Sequence, residues 1–551
     1  MMNKISHFLT RKQGRAWVDI AAILVVSGFL YLSFLGSLPF KEPDESRYAE
    51  IPREMLESGD YITPRLNYVK YFEKPPLHYW VNALSMSILG KNEAAARLPS
   101  ALFGLCSVLF IYHMGRKLFG RREGLYAAMV LGSSVGYLFQ SRMNIIDNPL
   151  TFCMTAALGC FLLASRPEEE KKGLYYYLFY LFAALAVLAK GLIGIVLPGG
   201  VIFFYMLLGR RWGLLREMRL PGGICLFLAV CAPWFVLVSM KNPEFPRFFF
   251  IHEHFERFAT KVHRRYEPPW FFIPVLLGCM APWSFFFPGA AMETWKKRDS
   301  IRLYLLLWAG VIFTFFSASS SKLIPYILPV FPAIALLMGA YISAALDAGK
   351  RLFSAQAIVA PLFLFISGSG FLLYTRLAAR PRIDMGDALL LGGVFAAGGL
   401  ISAGLALTGK HRATALLLLF LTAGLGAMSA PSAVFARSAQ RWSTRELAAV
   451  VRERYQDTPL VSYDIYRQSL PFYAGRRVIL AGPVGELEFG SLRETEPGWF
   501  IDPETFHQWW DSPVAYVAII RRGDLSLFSS RVKTPVKVVA AWGESILVSN
   551  K

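Results

Sequence analysis

The residues best suited to chemistry lie in the stretch KEPDESRYAEIPREMLESGDYITPRLNYVKYFEKPPLHYW, from Lys41 to Trp80. Asp44 and Arg47 are three apart, so on a helix they share one side. An acid and a base so placed can serve a glycosyl phosphate. The guanidinium grips phosphate oxygens in a fixed fork, and the carboxylate faces the sugar or the incoming nucleophile. Asp44 follows Pro43 and reads equally well as a helix N-cap favoured by the dipole. Further on, YFEKPP sets Glu73 and Lys74 before two prolines that keep a helix from running through them. Lys74 suits phosphate as a compact point charge, or a lysine snorkelling to a membrane interface. Glu73 could pair with a nearby cation or ligate a metal. Tyr71, Tyr79 and Trp80 also fit an interfacial aromatic belt.

Four further places hold polar groups where they are costly. Asp147, in SRMNIIDNPLTF, opens an apolar run and is expensive there unless paired, functional or capping the helix. Lys190, in LAKGLIGIVLP, stands between two apolar runs and needs water, phosphate or a carboxylate beside it. Lys322 and Tyr326, in SKLIPYILP, place another cation at the start of an apolar run. The stretch FFFIHEHFERFATKVHRRYEPPWFF gathers His252, Glu253, His254, Glu256 and His263 with Arg257, Arg264 and Arg265, although the chain has only 8 His. His254 with a carboxylate from elsewhere could hold a divalent metal, without the HExxH spacing. The arginines suit lipid headgroup phosphates.

The elements that position these residues follow from composition. The chain has 551 residues, 55% apolar and 17% charged, with a mean hydropathy of +0.41. A soluble globular chain carries about 25% charge, and 44 Phe, 24 Tyr and 13 Trp exclude disorder. The class is a polytopic α-helical membrane protein. Apolar runs at 18–36, 97–115, 124–140, 147–165, 174–189, 192–208, 221–239, 271–290, 302–317, 323–346, 355–375, 386–408 and 412–430 predict about 13 spans. The first reads as a retained anchor rather than a signal peptide. The 6 cysteines all lie in or beside such runs without paired spacing and read as small buried hydrophobes.

The net charge of +20 falls mostly in short loops, which points to membrane orientation and not to nucleic acid. Lys4, Arg11, Lys12 and Arg15 precede the first run, and alternate loops thereafter are basic, as at 116–122, 166–172, 210–219, 296–302, 350–351 and 410–412. This predicts a cytoplasmic N-terminus and, with an odd number of spans, a tail outside the cytoplasm. Two external loops break the pattern. Residues 39–93 carry Arg47, Arg53, Arg65, Lys70 and Lys74; residues 241–269 carry Arg247, Arg257, Lys261, Arg264 and Arg265. Cations there can hold something anionic at the outer face, or are charges that a loop tolerates.

The division expected is a transmembrane domain over 1–431, with interfacial helices in loops 39–93 and 241–269, and an extracytoplasmic domain over 432–551. Within DESRYAEIPREML, Tyr48, Ile51 and Met55 recur at helical spacing and predict a short amphipathic helix. In the tail, an amphipathic stretch at 444–455 and the runs TPLVSYD, RRVILA, VAYVAII and VKVVAAW predict a small α/β domain. No GxGxxG or P-loop pattern accompanies them, so no nucleotide cofactor is expected. A donor available outside the cytoplasm would be a lipid-linked sugar phosphate. A lipid or polysaccharide flippase is the competing transport class, without the paired broken helices that class predicts.

These motifs and this topology resemble the 4-amino-4-deoxy-L-arabinose transferase (ArnT) family, relatives of the protein O-mannosyltransferases. The match is densest in PDESRYAEIPREMLESGDY and YFEKPP, with support from IDNPLTF, AKG, EHFERF and SKLIPYILP, while the tail carries little of it. The resemblance implies a GT-C type fold with about 13 transmembrane helices and a C-terminal periplasmic α/β domain, in a bacterial inner membrane. It implies transfer of aminoarabinose, or a related amino sugar, from undecaprenyl phosphate to a lipid A phosphate, which gives polymyxin resistance. A protein or another glycan is the alternative acceptor. By matched position, Asp44 looks like the essential carboxylate and Asp147 a second functional acid. Arg47 and Lys74 look like donor-phosphate ligands with Tyr71 nearby, and Lys322 and Tyr326 match more loosely. Glu73 and His254 are similar to the family's zinc-binding pair.

Overall fold

The computed structural model describes residues 2–256, 267–377, 385–430 and 436–551. The chain forms two compact units. One comprises Met1–Ser33, Ser100–Val236 and Pro246–Ala433; the other comprises Phe34–Pro99, Leu237–Phe245 and Val434–Lys551.

The first unit is helical. Among the described residues, nine helices are long and apolar enough to cross a bilayer, or ten if Phe272–Cys279 and Trp283–Lys297, bent by 106°, form one span. One of the nine, Glu93–Leu118, begins in the second unit, which runs to Pro99. Ala16–Leu32 and Ile193–Gly209 are apolar but shorter. The apolar run at 124–140 is divided at Ser134 into helices Arg121–Ser133 and Val135–Ser141. Among the described residues, length and apolarity alone therefore do not confirm the expected count of about 13 spans. Breaks at Ser134 and Pro282, where proline has no N–H to continue a helix, split runs that hydropathy alone reads as continuous. Within the helix Asp147–Ala164, 94% of the apolar window is buried against protein, whereas Leu220–Lys241 buries 22%. A Cβ on Gly124 would lie 2.7 Å from the Tyr112 carbonyl, and one on Gly339 would lie 2.5 Å from the Glu123 carbonyl. These helices therefore meet backbone to backbone, which only small residues allow.

The second unit joins the tail to the first long loop. β1 (Arg65–Leu66) and β2 (Val69–Lys70) pair antiparallel around Asn67 and Tyr68, both in the left-handed region. The tail strands are β3 (Leu460–Tyr463), β4 (Ile479–Ala481), β5 (Phe500–Ile501), β6 (Val517–Arg521), β7 (Lys537–Trp542) and β8 (Ser545–Ser549). Their order is β5-β4-β3-β6-β8-β7; β3 to β6 run parallel, and β8 and β7 are antiparallel additions. β3, β4 and β7 lie within the runs expected to be strands, β6 extends one residue past its run, and the helix Arg445–Arg454 lies in the expected amphipathic stretch. β5 and β8 were not expected.

The inner strands β3, β4, β6 and β8 are buried on both faces, as the strands of parallel sheets are. Leu460, Val517, Ile519 and Leu547 face one core; Val461, Tyr463, Ala518, Ile520, Ile546 and Val548 face the other, the alternation that a pleated strand imposes. The first core also holds Phe40, Ala49, Met86, Ala95 and Ala96 from the loop. Residues 34–99 and the tail therefore fold around shared apolar side chains. Asn67 adds a two-way amide bond: its Nδ2 donates to the Val478 carbonyl at 2.8 Å, and Val478 N donates back to its Oδ1 at 2.9 Å.

Candidate active site

The predicted amphipathic helix runs from Asp44 to Ser58. Gly59, at φ 69°, ends it, and its N–H caps the Met55 carbonyl at 2.9 Å. Tyr48, Ile51 and Met55 are all buried in protein. The next helix, Leu77–Leu89, starts directly after Pro75 and Pro76. It buries His78, Tyr79, Asn82 and Met86 but leaves Leu84, Ile88 and Leu89 exposed, an apolar face suited to a membrane interface.

The structure joins Asp44 and Arg47 as their spacing predicts. Arg47 Nη2 donates to Asp44 Oδ1 at 2.7 Å, and Nη1 donates to the Tyr71 hydroxyl at 3.1 Å. Nη1 also meets a carboxylate that sequence reasoning missed, Glu486 of the tail, at 3.0 Å. Gln468 holds the other Glu486 oxygen at 2.9 Å. Burial opposes the charge on Arg47, but Tyr71, Glu486, Tyr48 and Asp44 outweigh it and hold the guanidinium well above its ordinary range. Burial also pushes the Tyr71 phenol well up. Lys74 Nζ donates to the Glu73 carbonyl at 2.8 Å.

Burial raises the Glu486 carboxyl, against the opposing pull of Arg47; Glu73 and Asp44 add to the rise. Above the ordinary carboxylate range and up to this raised value, the folded unit holds a proton that the unfolded chain has released. Its stability contribution is then present at low pH and is lost as pH rises through the folded value. Glu486→Gln is expected to flatten the fall in melting temperature across that window. An unchanged slope would show that Glu486 titrates normally.

A second cluster lies in the helical unit. Asp147 opens its helix, and Lys190 ends the helix Lys172–Lys190. Lys190 Nζ donates to Asp147 Oδ1 at 2.5 Å and lies 4.3 Å from the centre of the Tyr326 ring. Each charge thus receives the partner that its apolar surroundings demand. Lys190→Met should cost about 3–5 kcal/mol by stranding a buried carboxylate. The double variant Lys190→Met/Asp147→Leu should recover much of that loss in thermal unfolding. A double variant no more stable than Lys190→Met would mean that the loss of Lys190 does not strand Asp147. Lys322 is buried, its Nζ donating to the carbonyls of Glu267 at 2.9 Å and Ser319 at 2.5 Å. The backbone holds this cation.

Arg257, Arg264 and Arg265 lie outside the described residues. His254 lies within the helix Arg247–Glu256, and its side chain lies outside what is described. Among the described residues, no three His, Cys, Asp or Glu side chains are gathered as a metal would require.

Comparison with known proteins follows this architecture. Residues 73–237 match the family described as dolichyl-phosphate-mannose-protein mannosyltransferase, and residues 447–550 match the aminoarabinose transferase C-terminal domain. The second match corrects the expectation that the tail carries little of the resemblance. The undecaprenyl phosphate-α-4-amino-4-deoxy-L-arabinose arabinosyl transferase 1 of Sodalis glossinidius is 32% identical over 396 residues, 68% of this chain and 70% of that protein. The corresponding transferase of Edwardsiella ictaluri is 32% identical over 335 residues, and the match spans 60% of its length. The crystal structure of ArnT from Cupriavidus metallidurans bound to undecaprenyl phosphate superposes with a TM-score of 0.85 at 28% identity, covering 97% of this chain and 98% of that one. This chain is a multi-span membrane protein that belongs to the ArnT family.

Proposed function

We propose that this protein is a glycosyltransferase that moves 4-amino-4-deoxy-L-arabinose, or a related amino sugar, from undecaprenyl phosphate to a lipid A phosphate. The setting is the periplasmic face of a bacterial inner membrane, with the N-terminus cytoplasmic and the 432–551 domain periplasmic. The observation that carries this reading is Arg47, a buried guanidinium held by Asp44 and Tyr71, in a chain similar to an ArnT that binds undecaprenyl phosphate.

Arg47 and Lys74 stabilise the departing polyprenyl phosphate, the Arg by its fork and the Lys by its point charge. Phosphate leaves readily, so strong acid assistance is unnecessary. An acceptor phosphate is already ionised and needs orientation more than deprotonation. Asp44 then aligns the donor's amino group or stabilises positive charge at the sugar carbon, and a single displacement inverts that carbon. With a hydroxyl acceptor on a protein or glycan, Asp44 would have to act as base. Asp147 serves as the second acid, with Lys190, Lys322 and Tyr326 as further donor-phosphate contacts, and Arg257, Arg264 and Arg265 meet headgroups. Zinc on Glu73 and His254 belongs to the same proposal, since one carboxylate and one imidazole suit that ion; elemental analysis of the purified protein tests it.

The test is mass spectrometry of lipid A from cells with and without the gene. A phosphate-linked amino sugar that disappears with the gene supports the reading. Unchanged lipid A, with label moving from the polyprenyl carrier to protein or another glycan, overturns the acceptor. Label that crosses the bilayer without a new bond overturns the enzyme class.

A further inference from the structure

The carboxyl ends of β3, β4, β5 and β6 lie along one edge of the tail sheet, because these strands are parallel. The chain leaves β3 toward β4 and later returns to β6 on the opposite side of β3. The connections therefore diverge between β3 and β6, the place where open α/β sheets hold ligands.

The loop after β3 carries Arg467. This residue is 4% exposed, its guanidinium lies 4.7 Å from the centre of the Trp442 ring, and its Nε and Nη2 have no hydrogen-bond partner. Ser545 stands opposite Arg521, at the carboxyl end of β6. It is 1% exposed, and its Oγ also has no partner. Burial pulls the Arg467 guanidinium below its ordinary range; Glu42 and Glu544 oppose this, and Arg521 adds to it. Arg467 Nε and Nη2 donate to neither carboxylate. Glu42 accepts from the amides of Gln468 at 3.2 Å and Ser469 at 2.8 Å, and Glu544 accepts from Arg441 at 2.5 Å. Buried donors in native proteins are almost always satisfied. Here three have no protein acceptor, at the point of the fold where a ligand is expected.

We infer that the crevice between the carboxyl ends of β3 and β6 is an anion site, in which Arg467 and Ser545 bind a phosphoryl group with Arg521 beside it. The shared chemistry is a phosphate oxyanion, supplied either free or as a lipid headgroup. The site shares no residue with the Arg47 cluster and does not depend on the sugar transferred.

Hydrogen exchange of the full-length protein in detergent tests this, with inorganic phosphate and with short-chain phosphatidic acid as probes. The Arg47→Gln background removes one of the proposed donor-phosphate contacts. Phosphate is expected to slow exchange of the amides at 464–469 and 543–547 at least tenfold, and Arg467→Gln is expected to abolish the effect. If phosphatidic acid protects at concentrations tenfold below phosphate, the source is a lipid headgroup; equal potency assigns free phosphate. Absence of protection by either probe in a protein with wild-type Arg467 overturns the proposal, and needs no substitution at that position. Protection that survives Arg467→Gln overturns it equally.

Discussion

Lys74→Ala is expected to lower sugar transfer by about 10²–10³-fold, the usual loss when one donor aimed at developing negative charge is removed. The loss should appear in kcat, because the leaving phosphate gains charge as the sugar departs. Folding is expected to be retained, because Lys74 Nζ donates to the neighbouring Glu73 carbonyl and the residue lies outside the apolar core that the unit is built around. Melting temperature and gel-filtration profile in detergent serve as controls. Wild-type turnover in Lys74→Ala would remove Lys74 from the donor site. Lys74→Arg separates charge from shape, since a planar fork cannot reproduce the compact ammonium.

A large loss of stability is also expected at Arg97. Its Nε and Nη2 donate to the two Glu45 oxygens at 2.8 and 2.9 Å, and its remaining N–H groups reach the carbonyls of Leu35, Leu38 and Pro39. Both charged groups are buried. Arg97→Met should therefore cost about 3–5 kcal/mol, because the Glu45 carboxylate and three carbonyls lose their donor together. Thermal unfolding of the full-length protein measures this. Arg97→Met/Glu45→Leu should be more stable than the single variant. A loss below 1 kcal/mol, about the value of a surface ion pair, would show that the guanidinium is dispensable.

The difference between what was legible and what was hidden lies in the range of the interactions. Asp44 and Arg47 are three residues apart on one helix, and sequence spacing alone puts them side by side. Asp147 and Lys190 each announce themselves as charges in apolar runs. Nothing local says that they answer each other, since their pairing depends on how two helices pack. Glu486 was missed because GPVGELEFG looks like any polar turn; only the long-range fold carries it to Arg47. Arg97 was absorbed into an apolar run for the same reason. The tail's strands were visible where β-branched residues cluster. β5 was too short to register, and β8 lay in a stretch, WGESILVSN, that offered little warning. The broken span at Ser134 was hidden because hydropathy averages over a window and takes no account of geometry.

The shared core of the second unit bears on how the protein is made. Phe40 and Ala49, beside the proposed active site, pack in the same cluster as Leu547 of β8, a strand that lies inside the sheet between β6 and β7. The segment holding Asp44 and Arg47 leaves the ribosome long before β8 does, yet it lacks part of its apolar lining until β8 has been synthesised. A polypeptide released before β8 would carry every proposed catalytic side chain on an unfinished core. Such abortive products would be substrates for proteolysis and would not act as weak enzymes.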